Sequence, residues 1–113
     1  MPNKLSIDKK RLTYNEFPDV FSRLNKCVEK SRMDRSLVIR NATADYVRER
    51  SRGKFTPAPY SAPRATRFGV CRVTYAEWVD VEAELREYAQ AERKDLTDIL
   101  REAVHSYLCK LKY

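Results

Sequence analysis

Glycine is nearly absent from this chain of 113 residues, with only Gly53 and Gly69 present. A phosphate-cradling P-loop or a dinucleotide-binding turn needs several glycines at fixed spacing, so neither is available. One histidine, His105, and three scattered cysteines, Cys27, Cys71 and Cys109, exclude the usual zinc modules. An odd number of widely spaced cysteines also argues against a disulfide framework and for a reducing, cytoplasmic compartment. No uninterrupted apolar stretch is longer than Leu37-Val38-Ile39, against the roughly 20 residues needed to span a bilayer. The segment MPNKLSIDKK has no apolar run that could act as a secretory signal. These shortages point away from enzymes, cofactors, metals and membranes.

What is present is charge, unevenly spread. Lys and Arg number 23 against 16 Asp and Glu, for a net +7. Residues 1–50 carry 12 basic and 7 acidic side chains, residues 51–66 carry Arg52, Lys54 and Arg64 with no acid, and residues 67–113 carry 8 basic and 9 acidic. A basic first half followed by a basic connector suggests a polyanionic partner, most often nucleic acid. Residues 51–66 also hold three of the five prolines, which remove backbone donors and disfavour helix in the residue before each. They read as a linker between residues 1–50 and residues 67–113.

Those two halves match without a gap at an offset of 61 residues. Arg11-Leu12-Thr13-Tyr14 overlies Arg72-Val73-Thr74-Tyr75, Glu16 meets Glu77, Phe17 meets Trp78, and Leu24 meets Leu85. Further on, Arg32 meets Arg93, Asp34 meets Asp95, Ile39-Arg40 meets Leu100-Arg101, and Tyr46 meets Tyr107. Register kept over nearly 40 positions reads as a duplication. Each copy predicts a strand, a helix, a turn and a second helix. The strands alternate around Leu12 and Tyr14, and around Val73 and Tyr75. The first helices carry apolar stripes at Val20, Leu24, Cys27 and Val28, and at Val81, Leu85, Tyr88 and Ala89. The second helices start near Asp34 and Asp95, good N-cap residues. A unit of about 40 residues with one short strand cannot bury a core by itself, so it must pair with another copy. Pairing within the chain and pairing between chains both remain open.

The segments KRLTYNEFPDVFSRLNKCVEKSRMDRSLVIRNATADYV and CRVTYAEWVDVEAELREYAQAERKDLTDILREAVHSYL each resemble the ribbon–helix–helix repressors, the superfamily of MetJ, Arc and the plasmid copy-number repressors. Two tandem copies are similar to small archaeal or viral regulators. The resemblance implies a mainly α fold with a short β-ribbon: two tandem units pairing through an antiparallel two-stranded sheet over four helices. It also implies a ribbon that enters the major groove of double-stranded DNA, a recognised docking form. Carried over by position, the base-contacting residues are Arg11, Thr13 and Asn15, with Arg72 and Thr74, while Ala76 stands where Asn15 stands in the first copy. These types suit the task, because Arg grips guanine, Asn pairs with adenine, and the Thr methyl packs on thymine. The family clamps a phosphate at the start of the second helix, here Arg35 and Ser36, or Thr97. Two departures bear on this clamp: Arg32 and Arg93 stand where Gly is usual, and Asp34 and Asp95 where the cap is usually uncharged. Lys4, Lys9, Lys10, Arg52 and Lys54 complete the expected phosphate contacts.

The expected function is therefore a sequence-specific DNA-binding transcription regulator, non-enzymatic and DNA-associated in the cytoplasm, with homodimers or higher assemblies along DNA as possible forms. The rivals are a non-specific architectural protein coating DNA and an antitoxin or adaptor that binds a protein. His105 reads as structural, Cys27 as a small core hydrophobe, and Glu82, Glu84, Glu87 and Glu92 as a solvated face.

Overall fold

A computed structural model describes residues 8–55 and 70–113. The chain runs β1 (Lys9–Glu16), α1 (Pro18–Ser31), α2 (Arg35–Ser51), β2 (Cys71–Trp78), α3 (Val79–Glu92) and α4 (Leu96–Lys110). It is mainly helical, with β1 and β2 forming one antiparallel sheet within the chain. Among the described residues no helix is long and apolar enough to cross a membrane. Lys4 and most of the expected connector, Arg64 included, lie outside the described residues. Ser51, expected as the first connector residue, instead closes α2, and Arg52 caps it.

Local chemistry sets the element ends. Pro18 opens α1, where its missing N–H costs nothing. Asp34 caps α2, its carboxylate accepting the Leu37 N–H at 2.8 Å. In α4 the Asp98 carboxylate accepts the Asp95 N–H at 3.4 Å, the reciprocal half of a capping box. α1 and α3 both end on an arginine in the left-handed region, Arg32 at φ +60° and Arg93 at φ +57°.

The register carries the symmetry. Thr13 faces Thr74, Leu12 faces Tyr75, and Tyr14 faces Val73. Thr13 and Thr74 are also the residues matched by the 61-residue offset, so a local two-fold axis passes between them. The same offset separates the first residues of α1 and α3 (Pro18 and Val79) and of α2 and α4 (Arg35 and Leu96). Beneath the ribbon, Leu12, Tyr14, Val73 and Tyr75 close over Leu24, Ile39, Leu85 and Leu100 in one buried cluster. The first-helix stripes read from the sequence supply Val20, Leu24, Cys27, Leu85 and Ala89 to that cluster. Helices α2 and α4 pack on each other at the centre, and α1 and α3 each pack against both.

Candidate nucleic-acid interface

An antiparallel strand with period two separates its side chains onto opposite faces. In β1 the burial pattern puts Leu12, Tyr14 and Glu16 inside and Arg11, Thr13 and Asn15 outside. In β2 Val73, Tyr75 and Glu77 are inside, while Arg72 and Thr74 are exposed and Ala76 is half-buried. The ribbon therefore gathers all five expected base-contacting residues on one surface. Across it Arg11 faces Ala76, Asn15 faces Arg72, and the two threonine hydroxyls share a hydrogen bond of 2.9 Å. Lys9 completes the row, its ammonium 4.8 Å from the Trp78 ring centroid. The outer face thus carries Lys9, Arg11 and Arg72 and no acid, whereas both strand carboxylates point inward.

The inward carboxylates have no counterpart in the sequence reading. Glu16 and Glu77 are both 0% exposed. Tyr14 donates its hydroxyl to Glu16 at 2.9 Å, and Tyr75 to Glu77 at 2.8 Å. Each carboxylate also accepts the next backbone N–H, from Phe17 at 3.0 Å and Trp78 at 2.9 Å. Glu77 gains a third donor, the Thr43 hydroxyl at 2.6 Å, and Val104 occupies the equivalent position in the other half. Burial pushes the Glu16 carboxyl up to about 7, against the opposing pull of the Tyr14 and Phe17 donors. Burial raises Glu77 as well, with Thr43, Tyr75 and the Trp78 amide favouring its charged form. The recurring Tyr-x-Glu in two inward strand positions was the available signal.

Two arginines tie the ribbon ends to the helices. Arg40 donates to the Ala76 carbonyl at 2.9 Å and lies 5.9 Å from the Trp78 ring centroid. Its equivalent, Arg101, donates to the Asn15 carbonyl at 2.6 Å and stacks 4.2 Å from the Phe17 ring centroid. Each bond crosses from a helix of one half to a strand of the other.

The expected phosphate contacts divide by position. Ser36, at the start of α2, is beside the ribbon and accepts the Ala76 N–H at 3.4 Å. Arg35 bonds Asn25 at 3.2 Å and lies over the Phe21 ring, and Thr97 is half-buried in the first turn of α4. Lys10 differs from Lys9: its strand position faces the core side, and its ammonium is 3.3 Å from Glu82. Arg52 and Lys54 are exposed beyond the other end of α2. Sixteen residues at 1.5 Å each put Arg52 about 24 Å along the axis from Ser36. Glu82 corrects the expectation of a solvated face: it is buried and bridges Lys10 and Arg86. His105 is also buried, with its Nδ1 2.9 Å from an Arg23 nitrogen.

No family model, curated protein or solved structure matches this chain.

Proposed function

We propose that this protein is a sequence-specific regulator of transcription, built from two tandem ribbon–helix–helix units whose shared ribbon reads the major groove of double-stranded DNA. The observation that carries the reading is the outer face of the sheet. It presents Arg11, Thr13, Asn15, Arg72 and Thr74 to solvent without a single acid, over an underside of Leu12, Val73 and two tyrosines that each bond a buried glutamate. Two strands about 4.8 Å apart fit a groove about 12 Å wide. Arg11 and Arg72 stand two residues to either side of the Thr13–Thr74 pair in opposite directions. That separates them by about 14 Å along the ribbon, or roughly four base-pair steps. Two guanines at that spacing, on opposite strands, are the expected signature of the site. Lys9 and the starts of α2 and α4 flank the ribbon and supply phosphate contacts that orient it. Asp34 and Asp95 weaken those contacts at the helix starts. Arg52 and Lys54 contribute long-range attraction from the far end of α2.

Selection of a preferred duplex from a random pool, followed by titration with wild type and Arg11→Ala, tests the reading. The variant is expected to lose about 1–3 kcal/mol on the preferred duplex and to relax discrimination at one base position. An unchanged preference and affinity would remove the ribbon from the interface. Equal wild-type binding to every duplex would mark a non-specific coat instead.

A further inference from the structure

The two flanking helices are equivalent in position but opposite in charge. Spacing of four, three and four residues puts Asp19, Arg23, Lys26 and Lys30 on one face of α1, and Asp80, Glu84, Glu87 and Ala91 on the matching face of α3. All eight are exposed except Arg23, which is half-buried and bonds the Tyr113 carbonyl at 3.0 Å. Because α1 and α3 pack on the central pair as two-fold equivalents, one flank of the molecule is basic and the other acidic. Among the described residues no ion pair within the chain engages Lys26, Lys30, Glu84 or Glu87.

We propose that copies of this chain associate head to tail, the acidic face of α3 in one copy seating on the basic face of α1 in the next. Laid antiparallel, the faces bring Arg23 to Glu87, Lys26 to Glu84 and Lys30 to Asp80, and leave Asp19 beside the neutral Ala91. A parallel arrangement sets Asp19 against Asp80. Like faces gain nothing: α1 on α1 opposes Arg23 to Lys26 twice, which offsets its two Asp19–Lys30 pairs, and α3 on α3 opposes Glu84 to Glu87. The charge pattern therefore selects unlike faces, and a contact between unlike faces leaves one free face at each end, so further copies add until the row ends or closes as a ring. A second copy is the partner that fits, since every molecule carries both complementary surfaces. The contact rests on solvent-exposed pairs, so it is weak and sensitive to salt.

The test uses the full chain without DNA, so its outcome is independent of the ribbon's reading of bases. Sedimentation velocity over a concentration series at low salt is expected to give a rising sedimentation coefficient, and the rise disappears in molar salt. Glu84→Lys/Glu87→Lys and Lys26→Glu/Lys30→Glu, each checked for wild-type helical content by circular dichroism, should each weaken association at least about tenfold. An equimolar mixture of the two variants restores association as one-to-one pairs, because the unaltered α1 face of the first variant meets the unaltered α3 face of the second. A wild-type coefficient independent of concentration at low salt would overturn the proposal. So would association that survives both reversals, or a mixture that stays dispersed.

Discussion

Arg32 and Arg93 hold a backbone conformation that L-residues with a Cβ adopt at a cost. Each ends its helix through a backbone bond to the preceding turn, Arg32 N–H to the Val28 carbonyl at 3.0 Å and Arg93 N–H to the Gln90 carbonyl at 3.2 Å. Replacing either by glycine relieves the Cβ, offset in part by the freer unfolded chain, and is expected to stabilise the fold by up to about 1 kcal/mol. A rise in melting temperature for Arg32→Gly and Arg93→Gly checks this, and a fall would show that the side chains hold the turn. Glu16 sets a second prediction at this scale. Its carboxyl is raised from 4.5 to about 7 in the fold, so the folded chain binds the proton more tightly than the unfolded one. The contribution is complete below about 4.5 and is lost as pH rises through about 7, for a total of about 3 kcal/mol. Glu82 acts in the opposite sense. Burial raises its carboxyl, but bonds from Arg86 and Lys10 outweigh that and hold it below its ordinary value. Its contribution is therefore lost as pH falls through its lowered value. Thermal melts at pH 5 and pH 8 should differ less for Glu16→Gln than for wild type.

The elements were largely readable from side-chain period. The alternation around Leu12 and Val73 marked both strands, and the apolar stripes through Leu24 and Leu85 marked the first helices of each half. Those two leucines are both 0% exposed, and truncating either to alanine is expected to cost about 2–5 kcal/mol, measured by denaturant unfolding. The outward parity of Arg11, Thr13 and Asn15 followed from the same alternation, and the register brought Arg72 and Thr74 to join them. What the pattern did not reveal came from contacts between distant residues. Glu82 looked solvated because its helix is acid-rich, yet Lys10, 72 residues away in sequence, reaches it from the ribbon edge. The same alternation that puts Lys9 outward turns Lys10 the other way, a distinction lost when both are read alike as phosphate contacts. Arg40 and Arg101 were matched by offset, but only the folded chain reveals that each spans to the opposite strand.

For the whole molecule, the decisive fact is that both strands of the sheet come from one chain. The sequence left pairing within or between chains open, because local periodicity carries no information about which copy a strand meets. With the sheet closed internally, folding is unimolecular. In molar salt, where the head-to-tail contact is screened away, the melting temperature is therefore expected to stay constant over a hundredfold dilution in the micromolar range, whereas a fold assembled between chains would melt lower on dilution. In a two-fold homodimer every mutation is made twice and must suit two sites at once. Here each is made once, so Thr43 could differ from Val104, Asn15 from Ala76, and Lys26 from Glu87 while the shared frame of the bundle stayed intact. Such a chain has a front and a back, and under the proposed reading of DNA it faces upstream or downstream on a duplex in a way that no symmetric pair of identical subunits can.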